Sequence, residues 1–234
     1  MTRVEELAAN LEAVERRIGA ACARAGRARA EVTLVVVSKT WPADDVRRLA
    51  GLGVTDVGEN RDQEAATKHA ACADLGLRWH FVGQVQSNKA RSVASYADVV
   101  HSVDRDRLVG ALSRGAVTAG RGVRCLVQVA LDDAPGLIGT RGGARPDAVR
   151  RLAEAVTAAP GLVLGGVMAV APARGDPRPA FERLAEIAAL LRRDYPGASD
   201  ISAGMSEDLE AAVAAGATHV RVGTAVFGSR PRLG

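Results

Sequence analysis

Apolar side chains at Val4, Leu7, Leu11, Val14, Ile18 and Cys22 recur at steps of three and four, the spacing that gathers them on one face of a helix. A helix is therefore predicted over about 4–24. The period then changes. Thr33-Leu34-Val35-Val36-Val37-Ser38 is a continuous β-branched and apolar run, as expected for a strand covered on both faces. Lys39 ends it, and Pro42 suits the first turn of a helix carrying Val46, Leu49 and Ala50. The same alternation continues to the end of the chain. Apolar runs predict strands near 54–58, 79–83, 98–102, 123–130, 163–169, 199–203 and 218–223. Helical spacing falls between them near 60–73, 86–96, 104–119, 146–158, 179–194 and 206–215, with Pro160-Gly161 and Pro196-Gly197 as stops.

Strands and helices in strict turn imply parallel pairing with right-handed crossovers. Eight units predict an α/β fold, a single (β/α)8 TIM-type barrel with an extra N-terminal helix; an open doubly wound sheet is the structural alternative. The 234 residues suit one barrel. Residues 1–234 are expected to form one domain, with 1–27 as a helix packed on the barrel. Gly/Pro/Arg-rich stretches at 134–146 and 171–179 read as long loops after strands five and six.

Composition narrows the function classes. No apolar run reaches eighteen residues, and Met1 is followed by Thr2, Arg3, Val4, Glu5 and Glu6, so neither a membrane span nor a secretory leader is expected. Cys22, Cys72 and Cys125 are widely spaced with no C-x-x-C pair, which points to buried reduced thiols in a cytoplasmic protein. The net charge is +4, but acidic residues are interleaved throughout and aromatics make up only 3%, a pattern that disfavours nucleic-acid binding. Among 31 basic side chains only Lys39, Lys68 and Lys89 are lysines. A lysine kept in so arginine-biased a chain suggests chemistry that a guanidinium lacks, such as imine formation.

In this barrel type active sites lie at the carboxyl ends of the strands, and the polar residues collect there. Strand one ends in Ser38-Lys39-Thr40, strand two in Gly58-Glu59-Asn60, strand seven in Ser202-Ala203-Gly204-Met205-Ser206 and strand eight in Arg221-Val222-Gly223-Thr224. Glycine and hydroxyl residues after the last two strands suit a phosphate, with Ser206 opening a helix. Lys39, at the end of a buried strand, is expected to lose part of its hydration and so favour the neutral amine. An aldehyde and a phosphate on one rigid ligand would join the two features. On spacing alone each residue also has a plainer reading. Lys39 can snorkel, Ser206 can be an N-cap, Arg221 a salt-bridge partner, Glu59 and Asn60 the start of a helix. His80 and His101 read as hydrogen-bonded strand residues, not metal ligands.

Six ordered segments carry a resemblance that covers about residues 4–230. They are Val37-Ser38-Lys39-Thr40, Gly58-Glu59-Asn60-Arg61-Asp62-Gln63-Glu64, the run Trp79 to Lys89, His101-Ser102-Val103-Asp104, Gly204-Met205-Ser206-Glu207-Asp208 and the run Val220 to Gly228. Together they closely resemble the pyridoxal phosphate homeostasis protein family, whose barrel is related to the N-terminal domain of alanine racemase. The resemblance implies pyridoxal 5′-phosphate as cofactor, held as a Schiff base on Lys39 with Asn60 beside the ring. Ser206, Gly223, Thr224 and Ser202 would hold the phosphate, and Arg221 would face the pyridine nitrogen. A guanidinium does not readily protonate that nitrogen, which leaves the ring a weaker electron sink. Two segments depart from the family pattern. Gly136-Leu137-Ile138-Gly139 places Leu137 where relatives carry a second lysine, and Ala203 stands where they carry methionine.

Racemases of this fold type take a second base, a tyrosine, from an extra β domain. The chain reaches Gly234 soon after its eighth strand, and its tyrosines, Tyr96 and Tyr195, fall in helical segments away from the expected mouth. The expected function is therefore a carrier with little or no catalysis, which sequesters pyridoxal phosphate and supplies it to apo-enzymes that depend on it. It would be a cytoplasmic protein shaping vitamin B6 and amino-acid balance, as monomer or homodimer, with no nucleic-acid or membrane partner. A weak amino-acid racemase or lyase, and a cofactor-free Schiff-base aldolase, are the alternatives.

Overall fold

The first helix, α1 (Arg3–Arg24), opens with a capping box in which the Thr2 hydroxyl accepts from the Glu5 N–H and the Glu5 carboxylate accepts from the Thr2 N–H. Leu7, Val14, Ile18 and Cys22 are buried along one face as their spacing predicts, whereas Val4 in the first turn is exposed. The computed structural model describes residues 1–131, 142–172 and 174–228. Gly136, Leu137, Ile138 and Gly139 lie outside the described residues.

Strands and helices follow in turn: β1 (Thr33–Val37), α2 (Ala43–Gly51), β2 (Asp56–Glu59), α3 (Asp62–Ala71), β3 (Arg78–Phe81), α4 (Ala90–Tyr96), β4 (Val99–Val103) and α5 (Asp106–Ala119). They continue as β5 (Val123–Gln128), α6 (Val149–Ala158), β6 (Leu162–Met168), α7 (Arg178–Asp194), β7 (Asp200–Ser202), α8 (Leu209–Ala214), β8 (His219–Val222) and α9 (Thr224–Phe227). All eight strands are parallel and close into a barrel in sequence order. The closing pair runs from Thr33↔His219 to Val36↔Val222, which excludes the open sheet.

Several details differ from expectation. Pro42 is the extended N-cap of α2 and stands just before its first turn. Residues 86–89 form a turn, with Lys89 N–H bonded to Gln86 O at 2.8 Å, so α4 starts at Ala90. The four-residue α9 is too short to leave a periodic signal.

Alternate residues of each strand face opposite sides. Outside, Val36, Val220 and Val222 pack with Leu7, Val14, Ile18 and Phe227, which seats α1 on the barrel. Inside, Val99, Leu126 and Met168 form a small apolar cluster, while Asp56, His80, His101, Ser202 and Arg221 make a polar one. The three cysteines are buried and free. Among the described residues no helix is long and apolar enough to cross a membrane, and no group of three or more His, Cys, Asp or Glu is placed to hold a metal.

Leu126 is fully buried in the inner cluster. Leu126→Ala is expected to lower unfolding free energy by about 2–5 kcal/mol, read as a lower denaturant midpoint with an unchanged slope.

Candidate functional site

The register Val35↔Arg221 and Val36↔Val222 brings the ends of β1 and β8 side by side. Gly223, the next residue of β8, lies so close to β1 that a Cβ there would come within 2.9 Å of the Val37 carbonyl oxygen. Only glycine fits without displacing the strand that leads to Lys39. Thr224 follows, exposed, and opens α9. The loop after β7 is tied to the same corner, because the Arg221 N–H donates to Gly204 O at 2.9 Å. Ser206 is half-buried in that loop, but it does not open a helix as expected. Asp208 is the N-cap of α8 and its carboxylate accepts from the Met205 N–H at 2.6 Å. The Ser206 carbonyl accepts from Arg17, which also pairs with Glu210, so α1 pins this loop from outside.

Lys39 is the next position after Val35 and Val37 in the inward-facing series of β1. The chain turns sharply there: Thr40 has φ 69°, a left-handed conformation uncommon for a non-glycine residue. The turn lifts Lys39 to the rim, where it is exposed and has no hydrogen-bond or ion-pair partner among the described residues. The expected loss of hydration is therefore not met in this state.

What holds that turn is the second lysine. Lys68 of α3 is buried and its ammonium donates to Ser38 O at 2.7 Å, Glu59 Oε1 at 2.7 Å and Glu64 Oε1 at 2.6 Å. Three donors meet three acceptors, a match to a compact ammonium that a planar guanidinium does not make. The Ser38 hydroxyl donates to Glu59 at 2.6 Å, and Glu64 also accepts the Thr40 N–H. Both residues flanking Lys39 are thus fixed from below. Glu59 Oε2 is buried with no hydrogen-bond partner, and burial raises the Glu59 pKa despite the bonds from Lys68 and Ser38.

Arg221 is buried and its side-chain hydrogen-bond partners are neutral. Its guanidinium donates to Ser202 Oγ at 2.6 Å and Ala169 O at 2.9 Å, and among the described residues no carboxylate lies within ion-pair distance of it. Burial pushes its pKa down to about 10, leaving it a cation at neutral pH. Ser202 is fully buried, and its hydroxyl bonds His101 Nδ1 at 2.8 Å as well as Arg221. It supports Arg221. His80 Nδ1 lies 2.8 Å from His101 Nε2, and His80 Nε2 lies 2.8 Å from Asp56 Oδ1. Burial lowers the His101 pKa well below the ordinary value, with the Arg221 cation adding to it.

Asn60 is half-buried just past β2, and its carbonyl presses on Gly83: a Cβ at Gly83 would come within 2.2 Å of it. A groove of about 900 Å³ begins at Asn60 and runs past Thr40, Trp41 and Gln84 to Lys89. Of the residues expected in the site it touches only Asn60. Tyr96 ends α4 with its ring buried, but its hydroxyl reaches Asp62 at 3.3 Å, nearer the rim than its place in the chain indicates.

A model of the alanine racemase N-terminal domain family matches residues 9–231. The pyridoxal phosphate homeostasis protein of Mycobacterium bovis is 44% identical, over 97% of this chain and 94% of that protein. Its counterpart in Escherichia coli (strain K12) is 37% identical, over 97% and 98%. The chain belongs to the pyridoxal phosphate homeostasis protein family. Among solved structures, PipY of Synechococcus elongatus PCC7942 with pyridoxal phosphate bound is 33% identical, with a TM-score of 0.81 over 95% of this chain and 100% of that one.

The family fold thus brings Lys39, Asn60, Ser206, Gly223 and Thr224 to one rim, with Arg221 and Ser202 beneath it. The sequence reading missed the support of that rim. The signal for Lys68 was present, since it is one of three lysines, but its role depends on a helix register that spacing gives only within a few residues.

Removing Lys68 would leave Glu59 buried without its cation. Lys68→Met is expected to cost about 3–5 kcal/mol at pH 7 in denaturant unfolding. A carboxyl whose folded pKa is raised binds its proton more tightly in the folded state, so the penalty grows as pH rises and is relieved as pH falls toward the unfolded value near 4.3. The deficit of the variant should therefore shrink between pH 7 and pH 4.5.

Proposed function

We propose that this protein binds pyridoxal 5′-phosphate at the carboxyl face of the barrel through Lys39, and that it keeps and supplies the cofactor without substantial turnover of its own. The observation that carries the reading is Arg221, a buried cation that among the described residues has no carboxylate within ion-pair distance, the charge of Asp208 acting on it only from farther off. A buried charge left so is costly, and a ligand that presents an acceptor to it would offset part of that cost. The donor set fits a pyridine nitrogen, which accepts one hydrogen bond.

The other groups fit the same ligand. The Lys39 amine is exposed and free of partners among the described residues, so no ion pair has to be broken for it to react. Gly223 gives an anion access to the backbone at the β8–α9 corner, with Thr224 and Ser206 as hydroxyl donors for the phosphate. Asn60 would flank the ring, and Ser202 would orient Arg221. When bound, the cofactor supplies an aldehyde for the amine and a ring that withdraws electrons. Arg221 donates and does not protonate, which keeps that withdrawal weak.

The carrier reading rests on the poverty of bases around Lys39. Burial, with the nearby Asp62 carboxylate, raises the Tyr96 hydroxyl pKa far above its ordinary value, and His80 and His101 have both ring nitrogens bonded inside the barrel. The whole chain would act as one cofactor-binding domain in the cytoplasm, where its buried thiols stay reduced, and its partners would be apo-enzymes that use pyridoxal phosphate.

Borohydride treatment of protein loaded with pyridoxal phosphate is expected to trap one adduct on Lys39, and Lys39→Ala should abolish it; adduct persisting at full yield in the variant would refute the assignment. Loaded protein incubated with L-alanine or L-serine should form negligible D-isomer. Appreciable D-isomer would instead favour a weak racemase with Lys39 as its base.

A further inference from the structure

The barrel interior contains a hydrogen-bond chain whose direction follows from its upper end. Arginine has donors only, so Ser202 Oγ accepts from Arg221 at 2.6 Å. Its one hydrogen remains, and its other partner is His101 Nδ1 at 2.8 Å. Ser202 therefore donates to Nδ1, and neutral His101 carries its proton on Nε2. That nitrogen is 2.8 Å from His80 Nδ1, which must accept. His80 in turn carries its proton on Nε2 and donates to Asp56 Oδ1 at 2.8 Å. The carboxylate is an acceptor only and ends the chain, held below its ordinary pKa as the bonds from His80 and Thr55 outweigh its burial.

Every member is satisfied with two neutral imidazoles and one carboxylate. The opposite direction needs an added proton on His80 or Asp56 and leaves the Ser202 hydrogen with no acceptor among the described residues. The chain is thus one-way, with a cation at the rim end and its counter-charge at the base of β2, the far end of the barrel. Aligned hydrogen bonds of this kind polarise one another. Among the described residues the other charged or titratable groups acting on the chain are Asp208 near Arg221, His219, bonded to Thr218, the Arg124–Asp200 pair and Arg78 near Asp56.

We propose that Asp56 acts from the opposite end of the barrel as a positioning residue for Arg221, by fixing the direction of the relay through His80, His101 and Ser202. The link to the cofactor ring rests on the function proposed above; the direction of the relay does not. With the carboxylate in place the Ser202 lone pair faces Arg221 and the guanidinium is held in one orientation. Without it the direction is held from the Arg221 end alone, and a reversed pair of imidazole tautomers is no longer opposed at the base of β2.

Nitrogen NMR of the histidine rings, on the full chain without cofactor, reads the tautomers directly. His80 and His101 should both be neutral and protonated at Nε2 at pH 7. In Asp56→Asn, whose amide can donate or accept, both rings should shift toward averaged tautomer signals. The absorbance band of the pyridoxal phosphate-loaded variant should move, while the yield of borohydride adduct on Lys39 stays at the wild-type level. Should Asp56→Asn fail to fold, Ser202→Ala cuts the relay at its other end: Asp56 should then keep both rings protonated at Nε2 while the absorbance band of the loaded variant moves, and loss of the Nε2 tautomers in that variant would overturn the role given to Asp56. A wild-type His101 protonated at Nδ1, or ring signals and absorbance both unchanged in the variants, would overturn the proposal. Failure of the wild-type adduct would remove the cofactor reading and leave the tautomer result standing.

Discussion

The parallel pairing of β1 with β8 joins the two ends of the chain, and with them a strand that leads to Lys39 and a strand that carries Arg221. Neither residue has a use for the proposed ligand without the other nearby. The pairing also makes Gly223 obligatory, because its backbone packs against Val37, and it gives α1 a surface made of both strands to sit on. A helix at one end of the sequence and the last strand at the other thus stabilise one corner of the barrel.

Two layers of support lie under that corner, and they differ in kind. Outside the strands, Lys68, Glu59 and Glu64 fix the backbone on both sides of Lys39 by hydrogen bonds to a carbonyl, a hydroxyl and an N–H. Inside, Ser202 and the two histidines hold the Arg221 side chain. Both are buried polar networks in a medium where an unpaired group is expensive and a paired one is rigid. Rigid placement of reacting groups is what a binding site on a barrel rim needs.

The fold was legible because each strand is a short apolar run and each helix a three-and-four pattern, and these periods differ. The rim was legible as well, since strand ends in this architecture are where polar residues have no structural reason to cluster. The interior was not. β3 alternates polar and apolar residues through Arg78-Trp79-His80-Phe81, but where a strand is covered on both faces that pattern does not say which face is the inside, and the mostly apolar β4 gives no alternation to assign His101. The family resemblance implied Ser202 for the phosphate, and its bond to Arg221 could not be read from the chain, because the parity of its strand is what turns it inward. Ser206 was expected to begin a helix, but α8 starts after Asp208, whose carboxylate instead ties the preceding loop through the Met205 N–H. Lys39 was expected to be partly dehydrated, and the left-handed turn at Thr40 sets it in water instead.

The scarcity of lysine has a meaning beyond the two positions already described. Lys68 is enclosed by its three acceptors, so the side-chain amines open to solvent are Lys39 and Lys89. Every other basic side chain outside histidine is arginine, which does not condense readily with carbonyl compounds under mild conditions. A surface built this way keeps its positive charge while offering a reactive metabolite few places to attach at random, and under the proposed function the selectivity of the rim would be set partly by the inertness of everything around it.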